Sequence, residues 1–212
     1  MAEKKVKFSE FVSPVCIARW AFVNNPSKPY DGKGEPVYKI VGLMDDNEET
    51  RAWVDKVVAA GLAEAKAAGI KLKKQFGNPF QFPEDQDEDD FIPEEGKDKP
   101  KLDEAYRGRI YFQTKSQFKP GLIDTAKVEL PDDVRIMNDD LVRIKVQVNP
   151  YDGFGGGISL RLKVVQLVEK KTSFSGDGQR GVNTNGFDEI DGYVAPHHEP
   201  DDEDEEDGVE QF

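Results

Sequence analysis

Residues 141–168 read LVRIKVQVNPYDGFGGGISLRLKVVQLV, two alternating runs on either side of a glycine-rich turn. In the first, Leu141 to Val148, the apolar set Val142, Ile144, Val146 and Val148 points one way while Arg143, Lys145 and Gln147 point the other. In the second, Ile158 to Val168, Ile158, Leu160, Leu162 and Val164 oppose Ser159, Arg161 and Lys163. A period of two held through both runs describes strands with one core face and one basic face, joined by the loop Asn149 to Gly157.

Further strand signals lie upstream. Pro14 to Val23 (PVCIARWAFV) is rich in β-branched and aromatic residues and meets a turn signal at Asn24-Asn25-Pro26. Trp20 shares a face with Phe22 by alternation and is read as core. Val37 to Met44 (VYKIVGLM) reads as its antiparallel partner. The period then changes: Asp46 with Glu49 forms a capping-box pattern, and Trp53, Val54, Val57, Val58 and Leu62 recur at helical spacing up to about Ala68, where Gly69 stops the helix. Residues 71–105 hold no period, contain four prolines and read as a surface excursion. Strands return at Arg107 to Thr114 and, weakly, at Gly121 to Val128.

Five or six antiparallel strands with one helix predict a mainly β chain. The leading architecture is an OB-fold, a five-stranded, partly open antiparallel barrel with one inserted α-helix; a β-sandwich with a surface helix is the alternative. The predicted organisation is a domain over 1–171 carrying the 71–105 excursion, a Gly-, Asn- and Ser-rich linker over 172–187, and a disordered acidic tail over 188–212, whose composition supports no core.

The 212 residues carry a net charge of −13 with one cysteine, so no internal disulfide framework exists, and no apolar run approaches the roughly 18 residues of a membrane helix. Met1 to Lys7 leads into no apolar segment, and the chain is read as mature and soluble, with no membrane partner. The mean charge conceals its distribution. Residues 188–212 hold 12 acids and no Lys or Arg, and Glu84 to Glu95 hold 8 acids and no base; the remainder has 22 acids against 29 bases, a body of +7. A basic body with an acidic appendage suits a polyanion and a segment that competes for the same surface.

The candidate surface combines cations with aromatic rings. Arg107, Arg109, Tyr111 and Gln113 share a strand face, Arg143 and Lys145 line another, Tyr151 and Phe154 stand in the glycine-rich loop, and Lys39 is a further member. Rings of this kind stack on unpaired bases for about 1–3 kcal/mol each, while Lys and Arg follow phosphates without reading sequence. Other motifs lead nowhere: Gly155-Gly156-Gly157 lacks the Lys-Ser/Thr of a phosphate loop, Gly176 to Gly181 opens no helix, and Asp85 to Asp89 lacks the Gly and Glu of a calcium loop. No cofactor or metal site is expected. No catalytic constellation forms either: His197 and His198 fall in the tail, Cys16 has no base, and Asp132, Asp133, Asp139 and Asp140 flank turns. The tail ends with Asp204, Glu205, Glu206 and Asp207 followed by Phe212, a set that fits a partner's basic groove and apolar pocket.

Taken in order, Val37-Tyr38-Lys39, the helix start Trp53-Val54-Asp55, the Arg109 to Phe112 strand, Asn149-Pro150-Tyr151 leading into Gly157 to Lys163, Gly192 to Ala195 and the terminal Phe212 resemble the tailed-phage single-stranded DNA-binding proteins with one OB-fold and an acidic tail ending in Phe. The sequence departs from them in the Glu84 to Glu95 run and the three glycines. The resemblance implies binding, protection and annealing of single-stranded DNA in phage replication, recombination and repair, in the cytoplasm of the infected host. It also implies tail contacts with a DNA polymerase and helicase-primase, Tyr151 as a base-stacking platform and Phe212 as the docking residue; a homodimer is left open. Two other readings compete with it: an acidic decoy occupying another protein's DNA site, and a metal-dependent nuclease.

Overall fold

The alternating pair forms the long hairpin of a barrel. The computed structural model describes residues 8–28, 34–73, 76–93, 97, 99–153 and 155–171, so the linker and the tail lie outside the described residues. Its strands are β1 (Glu10–Val12), β2 (Cys16–Ser27), β3 (Val37–Asp45), β4 (Phe80–Gln81), β5 (Arg109–Ser116), β6 (Gly121–Ile123), β7 (Leu141–Tyr151) and β8 (Gly157–Glu169), with one helix, α1 (Glu48–Ala67), between β3 and β4. Five of them close a ring: β2 pairs with β3, β3 with β5, β5 with β8, β8 with β7, and β7 with β2. Numbered as barrel strands one to five, the order is one, two, three, five, four and back to one, the connectivity of an OB-fold.

Two seams are thin. β2 and β7 meet through Cys16↔Val142 and Ile17↔Leu141, and β5 meets β8 through Lys115↔Arg161, which runs parallel, so the barrel is antiparallel except at that seam. The core lies within the ring, with Val142, Ile144, Val146 and Val148 of β7 facing Ile158, Leu160 and Leu162 of β8. The turn region after β6 adds Leu130, Val134 and Ile136. From α1 and β4, Trp53 and Phe80 pack with Phe112 of β5, ring centroids 5.5–5.7 Å apart.

Four local readings are corrected by geometry. The helix is capped by Asn47 rather than Asp46: the Asn47 Oδ1 accepts from the Thr50 N–H at 2.9 Å, while Asp46 pairs with Arg51. At the other end Gly69 does stop the helix, at φ +73°, with the Ile70 N–H reaching the Ala65 carbonyl as in a Schellman cap. β2 does not end at Asn24; it continues irregularly to Ser27, and a bulge between Arg19 and Phe22 interrupts it. Trp20 sits at that bulge with φ +48°, so it turns outward at 58% exposure instead of entering the core, and Phe22 follows it to the surface while Val23 turns in. A second bulge leaves Lys163 without a partner on β7, which moves Val164 out of the main core and against Ile123 and Val12.

Candidate nucleic-acid interface

On an OB barrel the outer face of the second and third strands, flanked by the loops after the first and fourth, receives oligonucleotides. Here that face is β3 and β5, extended by β2 and β8. Register fixes its rows. Phe22, Lys39, Lys115 and Arg161 lie opposite one another across four strands. Arg19, Val41 and Gln113 form the next row, and Ile17, Leu43 and Tyr111 the third.

The first row is open. Lys39 Nζ lies 5.1 Å from the centre of the Phe22 ring, and the Arg161 guanidinium 5.3 Å from that of Phe118, which is 67% exposed. Among the described residues neither Lys39, Lys115 nor Arg161 pairs with a carboxylate, so three cations and two aromatic faces are presented to solvent in one line. Trp20 stands at the bulge between this row and the next, 58% exposed. Beyond the Phe118 end a cavity of about 590 Å³ is lined by Asn24, Asn25, Lys119, Glu129, Arg135 and Lys163.

The third row is covered. The excursion after β4 carries 3₁₀ turns at Pro83–Asp85, Glu88–Phe91 and Glu104–Tyr106, and Phe91, Leu102, Ala105 and Tyr106 pack on Ile17, Val41, Leu43 and Tyr111. Burial and the nearby Asp90 and Asp85 push the Tyr111 hydroxyl above its ordinary pKa. Arg109 reaches Asp45 at 3.1 Å and the Ala105 carbonyl at 2.7 Å. Arg107, which precedes β5, is held by Glu88 at 2.8 Å and Glu104 at 2.7 Å, with the Phe91 ring centre 4.0 Å from its guanidinium.

The remaining predicted positions lie elsewhere. On β7, Lys145 is buried, its Nζ 3.2 Å from Glu10 of β1, and the Arg143 Nε donates to the Ser13 carbonyl at 3.2 Å. The barrel therefore brings Lys39, Arg109 and Tyr111 to one face and leaves Arg143 and Lys145 off it. Tyr151 is 39% exposed at the end of β7, its hydroxyl lying close over Gly77 and Gly157, where any Cβ would collide with it. Phe154, Asp204, Glu205, Glu206, Asp207 and Phe212 lie outside the described residues. Sequence reasoning missed Lys115 and Phe118, and Phe22 and Trp20 as surface residues; the outward alternation of Arg161 was the one available signal.

The carboxylates considered for catalysis have separate tasks. Asp140 is fully buried and accepts from the Met137 and Lys171 N–H groups at 2.8 Å, Asp139 pairs with Arg19, and Asp132 with Lys119. Among the described residues no three His, Cys, Asp or Glu side chains converge as metal ligands. Burial pushes the Cys16 thiol up to about 12.

A five-strand OB barrel with an exposed cationic and aromatic row belongs with the oligonucleotide-binding folds. Residues 15–194 match the family described as Enterobacter phage Enc34, ssDNA-binding protein, and the chain belongs to that family. Its fold is similar to that of the single-stranded DNA-binding protein from bacteriophage Enc34 in complex with ssDNA, at TM-score 0.55 and 17% identity over 82% of this chain and 96% of that one. A C-terminal truncation of the Enc34 protein gives TM-score 0.53 at 17% identity, covering 77% and 91%. For gp2.5, a single-stranded DNA-binding protein encoded by bacteriophage T7, the TM-score is 0.51 at 21% identity, covering 85% and 100%. No curated protein sequence matches the chain.

Proposed function

We propose that the chain binds single-stranded DNA without sequence preference along the Phe22–Lys39–Lys115–Arg161 row, with Phe22, Phe118 and Trp20 stacking on bases and the three cations following phosphates. The observation that carries this reading is that row: three cations that, among the described residues, have no carboxylate partner, set between exposed rings on the face that OB barrels use. Membership of a single-stranded DNA-binding family supports it. Tyr151, at the turn between the fourth and fifth barrel strands, flanks the path.

The biological setting that follows is phage DNA replication, recombination and repair in the cytoplasm of the infected host, without catalysis by the chain itself. The acidic tail, through Asp204 to Asp207 and Phe212, competes with DNA for the basic body and recruits the DNA polymerase and helicase-primase. Titration of a fluorescent oligo-dT with the full chain and with a chain ending at Phe187, at low and moderate salt, tests both parts. Saturable, salt-sensitive binding that tightens on truncation is the expected outcome. Absence of binding by either chain at low salt refutes the reading.

A further inference from the structure

We propose that residues 84–93 and 99–106 form an internal acidic strap: they occupy the third row of the binding face in the way a nucleotide strand would, and single-stranded DNA displaces them. The inference rests on the reading above, and it concerns a segment that the binding row itself does not use.

The strap lies where an oligonucleotide belongs. Its Phe91, Leu102, Ala105 and Tyr106 cover Ile17, Val41, Leu43 and Tyr111 on the outer face of the first three barrel strands. The chemistry it offers is that of a nucleotide. Arg107 receives paired oxygens from Glu88 at 2.8 and 2.9 Å and from Glu104 at 2.7 and 2.9 Å, with the Phe91 ring against its plane. Anionic oxygens in a fork and a π face are the two contacts through which a guanidinium recognises a phosphate and a base. Arg19, in the middle row, is taken by Asp103 at 3.2 Å. The contrast with Lys39, Lys115 and Arg161 is one of position: Arg107 and Arg19 meet carboxylates of the strap, and among the described residues the cations of the first row meet none.

The attachment is weak enough to exchange. Among the described residues none of those in the strap pairs as a strand, and beyond the apolar contacts just named it is tied to the barrel by Gln86, whose side chain bonds the Arg109 carbonyl and the Gly108 N–H at 3.0 and 3.2 Å. Its ion pairs are exposed, Glu88 at 82%, and exposed pairs contribute little and are screened by salt. A polyanion that competes for the same arginines can replace them.

Two measurements on the full chain test the strap. The first is oligo-dT titration of a variant combining Glu88→Gln, Asp103→Asn and Glu104→Gln, against a control combining Glu48→Gln, Glu49→Gln and Asp55→Asn, which removes equal charge from exposed sites outside the strap. Release of Arg107 adds one phosphate contact, while Arg19 keeps Asp139, so the strap variant gains a salt slope steeper by about 0.7 and several-fold in affinity at low salt, and the control keeps the wild-type slope. Equal behaviour of the two variants overturns the proposal. The second is hydrogen exchange at the amides of Asp90, Leu102 and Tyr106, which donate within the strap. Saturating oligo-dT accelerates their exchange if the strap is displaced; unchanged or slower exchange makes it a fixed wall and overturns displacement. If the wild-type chain fails to bind oligo-dT, the proposed function falls and the strap with it, whereas binding without these shifts removes the strap alone.

Discussion

The row of Phe22, Lys39, Lys115, Arg161 and Phe118 separates charge from stacking, and the two respond differently to salt. Each phosphate contact on a single strand contributes about 0.7 to the slope of log affinity against log salt, so the three cations account for a slope of about 2 and for a roughly 20-fold loss of affinity between about 50 and about 200 mM salt. Substituting Lys39, Lys115 and Arg161 together by Ala removes that part of the response. Among the described residues none of the three is an ion-pair partner of a carboxylate, and the variant's unfolding free energy stays within about 0.5 kcal/mol of wild type. Phe22→Ala and Phe118→Ala each remove a stacking platform worth about 1–3 kcal/mol, or about 5- to 150-fold in affinity, with no change in slope. The assay is fluorescence anisotropy of labelled oligo-dT at four or more salt concentrations for wild type, the triple cation variant and each Phe variant. A triple variant whose slope equals that of wild type shows that phosphates are neutralised elsewhere, and the assignment of the row is then wrong.

Other consequences follow from single residues. Trp20→Gly relieves a positive φ that costs an L-residue about 1–2 kcal/mol, so urea unfolding shows equal or higher stability while oligo-dT affinity falls. Gly61 on α1 abuts Ile158, where an added Cβ would lie 2.7 Å from Cδ1; Gly61→Val overpacks this contact and lowers unfolding stability by about 1–3 kcal/mol. The buried Cys16 thiol stays unreactive toward a disulfide reagent at pH 8 until the chain unfolds. Because folding raises its pKa from 9.0 to about 12, its contribution is fully present below pH 9 and is lost as pH rises from there through about 12, which pH-dependent urea melts detect. Arg107 holds the Glu104 carboxyl below its ordinary 4.5, so the Arg107 clasp is complete above that pH and opens as pH falls through the depressed value; exchange at Tyr106 across an acid series reports it.

Much of the architecture was readable because most of the β7–β8 hairpin keeps strict alternation, and because α1 carries both its apolar spacing and its Gly69 stop. Where a bulge intervened, alternation failed. Trp20 has the parity of the buried Cys16 and Ala18, and only the added residue between Arg19 and Phe22 reverses it. Val164 has the parity of Leu162, and the unpaired Lys163 sends it to the other side. Lys145 reads as a surface cation on its own strand, yet β1, a strand of three residues too short to show a pattern, brings Glu10 over it. The binding row itself is a product of pairing between strands separated by up to 139 positions, from Phe22 to Arg161, which no local pattern contains. Arg107 and Arg109 were visible as cations; that Glu88 and Glu104 of the excursion hold the first, and Asp45 of β3 with the Ala105 carbonyl the second, depended on contacts across the chain.

The distribution of charge over the face then has a physical rationale. A chain of net −13 that binds a polyanion must hold a surface where the local potential is positive despite the total. Placing Lys39, Lys115 and Arg161 in one register across three strands does this, since a phosphate there meets several cations at once, while Glu84, Glu88, Asp90, Asp103 and Glu104 of the excursion are partnered by Arg51, Arg107, Lys101 and Arg19. The same bulge that hid Trp20 and Phe22 from the periodicity places their rings beside that row. A regular β2 would keep the parity of Trp20 inward and leave the cations without an aromatic neighbour on that side. Deleting Ala21 removes the extra residue, turns Trp20 inward and leaves Phe22 opposite Lys39, so oligo-dT affinity falls by one ring and the inward indole overpacks the core and lowers unfolding stability.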